Sequence, residues 1–289
     1  MLFTSEKAPL SLLFELETPS HVIEPKYPGA FEQLVDLSGC WDTHKLFESR
    51  QPLMVLSARI SRCHEHACRF LSAAGSLLGD TYRLALDAVS VQKVQKAARR
   101  IADGEFRGGK PQRGKETIRF LSAVTNLGQV QFGETALLLC DRIYTIEDNL
   151  GAVSRLFLNV IRSEALGAGF DIISCYCPLS PFEKLEHVFI PSLRIGFMTV
   201  SDTHSAVTDD PYKVIRSRRF TDSEALSHAR KRIAFNRKTA SQMLDQTARL
   251  LAEAKSLHDE LEEYYRDAMD FDKVDQVAQK TVDQLLALV

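Results

Sequence analysis

The feature that most constrains the fold is an internal repeat. Segment 71–103 aligns without gaps with segment 251–283, and about ten of the 33 aligned positions are identical, where roughly two or three would agree by chance. Upstream, segment 8–21 aligns with 191–204 after a slip of three positions in the register. The sequence therefore predicts two copies of one unit, each ending in a long helical region.

The second copy is complete, and its pattern predicts alternating strands and helices. In chain order the elements are a strand at 141–146, a helix at 151–167, a buried strand at 169–177, a short helical turn at 181–185 and a strand at 193–200. Strand–helix–strand alternation at this spacing is typical of βαβ units with a parallel sheet. We therefore predict an α/β fold.

The helical regions follow these sheet segments. Apolar residues at helical spacing predict a long charged helix at 222–266 and a second helix at 271–287, which we interpret as an antiparallel helical hairpin. The first copy starts at what would be its last strand, 11–16, so it contains the hairpin without most of a sheet. The predicted domains are 1–103, a remnant of the first repeat that is mainly helical hairpin; 104–117, a basic Gly-rich linker; 118–221, the α/β domain; and 222–289, the second hairpin.

Composition excludes several classes of protein. The 36 Lys and Arg residues nearly balance the 38 Asp and Glu residues, which argues against a bulk polyanion binder. No run of eighteen apolar residues occurs, and the N-terminus lacks the pattern of a secretory signal. The six cysteines are sparse and are interpreted as reduced thiols. The sequence predicts a cytoplasmic protein with no membrane segment.

The strand–turn–helix at 142–157 lies where a phosphate-binding P-loop would lie, between a strand and a helix. On the G-x-x-x-x-G-K-[ST] template, the two glycines fall on Asp148 and Val153, the lysine on Ser154 and the Ser/Thr on Arg155. Gly151 is the single glycine left inside the loop.

In this context the sequence resembles a bacterial family of tandem P-loop ATPase or nucleotide-kinase-like proteins, in which two P-loop domains each carry a helical hairpin. The resemblance rests on segments 21–42 (HVIEPKYPGAFEQLVDLSGCWD), 119–124, 141–144 and 177–193. It implies a P-loop NTPase-like parallel sheet domain with long helical hairpin extensions, internally duplicated. For an intact member it also implies ATP and Mg²⁺ as ligands and ATPase or nucleotide kinase activity.

The departures from the family pattern decide our functional prediction. The first P-loop of the family would lie upstream of Met1, and the second is altered at the residues that bind phosphate. Asp148 adds a negative charge, and Val153 places a β-branched side chain where the backbone must approach the phosphate closely. Ser154 lacks the positive charge of the P-loop lysine, and Arg155 stands at the position of the magnesium ligand. We therefore predict a degenerate, non-catalytic scaffold or protein-interaction module. Such a module needs no cofactor. ATP or Mg²⁺ would bind only if the altered loop still binds a nucleotide.

An enzyme remains the alternative. It would be an ATP-binding ATPase or nucleotide kinase whose functional P-loop domain lies upstream of Met1 or in a partner chain. The charged helices are interpreted as solvated faces, with binding of a protein partner as their alternative function. A nucleic acid is not the partner that we expect, because the basic loop 107–119 is short and the net charge is −2.

Four further motifs each allow a structural interpretation and a functional one. GKPQRGKE at 109–116 matches part of a P-loop, but its composition favours a linker. CHEHAC at 63–68 offers half of a zinc site, or is an accident of a helix. His21 and His204 align between the copies just past a strand end, where parallel sheets bind ligands. Asp202 follows the strand at 193–200 and could act as a magnesium ligand.

Overall fold

A computed structural model describes residues 3–4, 11–12, 34–202 and 204–287 of the chain. The chain divides into two compact units. One consists of Met1–Ala58 and Leu257–Val289, and the other of Arg59–Ser256.

The strands are β1 (Phe3–Thr4), β2 (Ser11–Leu12), β3 (Glu116–Arg119), β4 (Ser122–Thr125), β5 (Gly128–Gln131), β6 (Arg142–Glu147), β7 (Ile172–Cys177), β8 (Ser180–Ile190), β9 (Ile195–Val200) and β10 (Lys213–Arg216). The helices are α1 (Thr43–Glu48), α2 (Arg50–Leu86), α3 (Val91–Glu105), α4 (Glu134–Leu139), α5 (Ala152–Gly167), α6 (Ser223–Ala268) and α7 (Phe271–Leu286).

The larger unit is built on a six-stranded sheet in the order β10-β6-β9-β8-β7-β3. Strand β6 runs parallel to β9 and β10, and β3 runs parallel to β7. Strand β8 is antiparallel to both of its neighbours. The predicted α/β fold is confirmed, and the sheet predicted to be parallel is mostly so, with β8 as its antiparallel strand.

Helices α5 and α3 cover one face of this sheet. Phe157, Leu158 and Ile161 of α5 are fully buried against strand residues that include Phe197. Helix α3 adds the buried face of Val94, Ala98 and Ala102 to the same core. A smaller apolar cluster covers the opposite face with residues from α4, the strands and the loops beside them, namely Leu121, Ala136, Cys140, Ile143, Cys175, Phe189 and Met198. Coverage of both faces is what a mostly parallel sheet requires.

The prediction of a helical turn at 181–185 is wrong, because these residues belong to β8. The strand pairs with β7 from Cys177↔Ser180 to Ile173↔Phe189. Pro181 stands near the start of the strand, which a proline tolerates. Pairing with a neighbouring strand outweighed the local helical preference of Phe182–Leu185.

The long predicted helices are confirmed, with α6 and α7 within two residues of their predicted bounds. The side-chain contacts pair α6 with α2, a pairing that the sequence did not predict. The Arg232 guanidinium binds the Asp80 carboxylate through two hydrogen bonds of 2.8 and 2.7 Å, and the Asn236 amide adds a third of 2.7 Å. These bonds, first that from Asn236, hold the pKa of Asp80 below its usual value. None of the helices in the described ranges combines the length and apolarity needed to cross a membrane.

Each unit contains a short backbone junction between two helix ends. In the smaller unit, the Asp42 amide donates to the Ala268 carbonyl and the Asp270 amide to the Cys40 carbonyl, both at 2.8 Å. The Asp42 side chain also caps α1 by accepting from the amides of His44 and Lys45. This junction therefore joins the end of α6 to the start of α1.

The larger unit repeats this junction at the positions that the sequence repeat aligns with the first. The Asp222 amide donates to the Ala88 carbonyl and the Ser90 amide to the Phe220 carbonyl, again at 2.8 Å. The Asp222 side chain accepts from two amides in the first turn of α6, as Asp42 does in α1. The same local geometry thus occurs twice, in the register of the sequence repeat.

The turn that follows α5 depends on a glycine. Gly169 has a φ of +85°, and a Cβ atom there would lie 2.0 Å from the Lys110 carbonyl oxygen. The segment between α3 and β3 runs alongside this turn, where the Lys115 amide donates to Asp171 at 2.7 Å.

We expect Gly169→Ala to destabilise the protein by more than about 1 kcal/mol, because it combines a strained φ with a backbone clash. The matched control is Gly167→Ala two residues earlier, in the last turn of α5, where no heavy atom lies within 4 Å of the new Cβ. That control should be neutral or slightly stabilising. Urea denaturation measures both, and equal effects would contradict this account of the turn.

Candidate functional site

A cleft of about 1210 Å³ opens at the carboxyl edge of the sheet in the larger unit. Its walls are the residues that follow β6 and β9, segment 177–184, and one side each of α2 and α6. In the strand order, the connection from β6 through α5 runs toward β7, whereas the connection from the adjacent β9 runs in the opposite direction, toward β10. Adjacent strands whose connections run in opposite directions form the crevice where open α/β sheets bind ligands.

The loop between β6 and α5 forms part of this cleft and spans four residues, 148–151. The buried Asp148 carboxylate accepts hydrogen bonds from the Leu150 amide at 3.1 Å and from the Ser154 amide at 2.7 Å. Gly151, with a φ of +73°, makes the turn into the helix. The carboxylate of Asp148 therefore holds the helix N-terminal amide that a phosphate oxygen would take in a P-loop.

The other residues of the predicted loop lie within the first turn of α5. Val153 and Ser154 are buried, and Val153 packs in the main core. The Arg155 guanidinium stacks on the Tyr82 ring, 3.7 Å from its centroid. Burial lowers the pKa of Arg155 below its usual value. This guanidinium is thus held by α2 instead of projecting freely into the cleft.

A buried ionic cluster forms the floor of the cleft. The Lys184 ammonium lies 2.7 Å from Oε1 of Glu186, and Nε2 of His204 lies 3.1 Å from Oε2 of the same carboxylate. Burial alone would raise the pKa of Glu186, but the Lys184 charge and the hydrogen bond with His204 hold it well below its usual range. Glu186 is therefore an ionised carboxylate with only 2% of its side chain exposed.

A β-bulge in β8 positions this carboxylate. His187 pairs with Cys175 and Leu185 with Tyr176, so Glu186 is the extra residue without a partner on β7. A bulge redirects the side chains next to it. The fully buried His187 ring consequently lies 5.8 Å from the His204 ring, centroid to centroid.

The His187 ring is a buried, neutral imidazole. Burial lowers its pKa to about 3. Within the part of the chain that the structure describes, neither ring nitrogen has a hydrogen-bond partner. A buried polar group without a partner is rare in folded proteins and calls for an explanation.

The structure places the remaining sequence candidates as follows. His204 lies in the cluster, whereas His21 lies outside the described residues. Asp202 is exposed on the rim and forms an ion pair with Arg237 of α6. In the CHEHAC segment, Cys63 is buried while His64, His66 and Cys68 are exposed. Segment 109–115 precedes β3 and packs beside the turn after α5.

Sequence reasoning missed Lys184, Glu186 and His187. All three belong to the strand whose first half we predicted as a helical turn. The following run of Val188, Phe189 and Ile190 is β-branched and aromatic, and it could have indicated a strand. The bulge has no such sequence signal.

Comparison with protein-family models, with curated proteins and with solved structures gave no match. The interpretation of this site therefore depends on its own geometry.

We expect Lys184→Met to destabilise the protein by about 3–5 kcal/mol, because it removes the cation that compensates a buried carboxylate. The matched control is Lys110→Met, which breaks the exposed ion pair between Lys110 and Asp171 and should cost at most about 1 kcal/mol. Free energies of unfolding from urea titrations compare the two. A Lys184→Met cost as small as that of the control would contradict the ion pair.

Proposed function

We propose that this protein is a non-hydrolysing relative of P-loop ATPases, which serves as a scaffold or protein-interaction module. The proposal takes the α/β unit as a P-loop-like domain whose phosphate site has been replaced by a side chain. An ATPase or nucleotide kinase completed by another P-loop domain is the alternative.

The observation that carries the proposal is the position of the Asp148 carboxylate. It occupies the start of α5 and accepts the Leu150 and Ser154 amides, which leaves those donors unavailable to a nucleotide. Its negative charge would also repel a phosphate. In a phosphate-binding loop, by contrast, backbone amides and a lysine surround the anion.

The residues of the short loop and of the helix start support the same conclusion. Four residues separate β6 from α5, and the position that corresponds to the P-loop lysine is the buried Ser154. The neighbouring cation, Arg155, is already stacked on Tyr82. The segment thus lacks glycine at both template positions and lacks the free cation that phosphoryl transfer uses.

We expect millimolar Mg-ATP to leave the melting temperature of the wild-type protein unchanged, because the amides at the start of α5 are occupied. Asp148→Ala should lower the free energy of unfolding by about 1 kcal/mol through loss of these bonds. Sulfate should restore part of that loss, since it can bind the vacated amides.

Asp275→Ala is the control for the general effect of salt, because it removes an exposed carboxylate within α7 and vacates no amide at the start of a helix. A greater gain from sulfate in Asp148→Ala than in Asp275→Ala supports the proposal. Stabilisation of the wild type by several degrees in Mg-ATP would favour the nucleotide-binding alternative.

We also infer that the chain is internally duplicated. The support comes from the two junctions, in which Asp42 corresponds to Asp222 and Asp270 to Ser90 in the register of the repeat, with matching backbone hydrogen bonds. On this view α7 corresponds to α3, since the repeat aligns 91–103 with 271–283.

The comparison of these two helices supports an interaction function. Val94, Ala98 and Ala102 of α3 are buried in the core of the larger unit. In α7 the aligned Ala278 and Val282 are exposed, Val282 by 47%. Helix α7 therefore presents apolar positions that its counterpart uses for packing, which suits a helix that binds another protein surface.

We expect a photo-crosslinking amino acid at position 282 to form a discrete adduct with a protein partner in cells, because this position lies on the apolar side of α7. The matched control is position 275, an exposed aspartate on the same helix. Mass spectrometry of the purified adducts is the measurement. Identical crosslinking patterns at 275 and 282 would contradict a role for this helix face.

A further inference from the structure

Glu186, His187 and His204 place two imidazoles and one carboxylate together below the cleft. One ligand atom from each residue lies within 4.8 Å of the others, and all three residues are buried. We infer that these side chains form a binding site for a divalent transition-metal ion of the zinc type. This inference goes beyond the proposed function and does not depend on it.

The spacing suits such an ion. Zinc binds histidine nitrogens and carboxylate oxygens at about 2.0–2.2 Å, so the ligand atoms of a tetrahedral site lie roughly 3.4 Å apart. Nε2 of His204 and Oε2 of Glu186 are already 3.1 Å apart. The ligand atom of His187 lies within 4.8 Å of the other two, so a small movement of its ring would bring it to the position of a third ligand.

The His187 ring is an independent observation that points to a ligand. It is fully buried, and within the described residues its two nitrogens have no hydrogen-bond partner. Leaving a buried polar group unsatisfied costs free energy. A neutral imidazole with an unused lone pair is also the form in which histidine binds a metal.

Neighbouring groups would orient the other two ligands. Oγ of Ser201 lies 3.4 Å from Nδ1 of His204, where it can accept a hydrogen bond from that nitrogen once Nε2 holds the metal. The Lys184 ammonium binds Oε1 of Glu186 and leaves Oε2 for the ion. Such partners of ligating histidines and carboxylates are a regular feature of metal sites.

The donor set selects the class of ion. Two imidazoles favour zinc and related transition metals over Mg²⁺ and Ca²⁺, which prefer oxygen ligands. Three protein ligands leave a fourth position for water or a ligand. His204 and Lys184 line the cleft, so an ion can reach the site from that side.

The first experiment measures zinc binding by the metal-free full chain through isothermal titration calorimetry and elemental analysis after dialysis. We expect the wild type to bind one tight equivalent, and His187→Gln and His204→Gln to weaken it by at least about 100-fold. Ser201→Ala should weaken it by about 10-fold, since it removes only an orienting group.

The control is His258→Gln, because His258, Asp259 and Glu262 form a second group of possible ligands on α6, at a more exposed position. This variant should retain tight binding. Absence of tight zinc from the wild type, or its loss in His258→Gln with retention in His187→Gln, would overturn the inference.

X-ray absorption of the zinc-loaded wild type gives a result even where a variant fails to fold. We expect imidazole scattering from two histidines and only nitrogen or oxygen ligands at about 2.0–2.2 Å. A sulfur ligand at about 2.3 Å would assign the zinc to cysteine and contradict this site.

Discussion

The hydrogen bond from the Ser154 amide to the Asp148 carboxylate links the fold of the larger unit to the chemistry of its cleft. It fixes the start of α5 immediately after β6, and α5 provides Phe157, Leu158 and Ile161 to the main core. A carboxylate at a helix N-terminus is stabilised both by the backbone amides and by the helix dipole. The same contact therefore supports the fold and occupies an amide at the edge of the sheet where the cleft opens.

The two ends of the cleft floor consequently differ in chemistry. At the start of α5, an internal carboxylate holds the helix amides, and Arg155 is held against Tyr82. Around Glu186 the situation is reversed, because a buried carboxylate is compensated by Lys184 and His204 while the imidazole beside it lacks a partner among the described residues. The first arrangement disfavours phosphate. The second places the His187 nitrogens, which lack a partner among the described residues, where they could bind a cation.

The repeat in the sequence has a local structural counterpart. Cys40 and Asp42 make the same backbone hydrogen bonds as Phe220 and Asp222, and the aspartates cap the helices that follow. A cap requires a specific short side chain at one position and does not depend on the rest of the helix surface. Helices α3 and α7 differ in their surfaces, since one is packed in a core and the other exposes Val282.

The sequence by itself determined the α/β class, the bounds of β6, β7, β9, α5, α6 and α7 within a few residues, and the position of His204 past a strand end. These features follow from hydrophobic periodicity and capping, which are local. Only the tertiary structure decided that residues 180–190 form a strand, that α2 contacts α6, and that Asp148 binds the start of α5. Glu186 and His204 belong to separate segments of the chain, and they meet because β8 lies beside β9 with a bulge that turns Glu186 toward the cleft floor. Strand pairing and bulges depend on residues that are distant along the chain, so a local sequence pattern does not predict them.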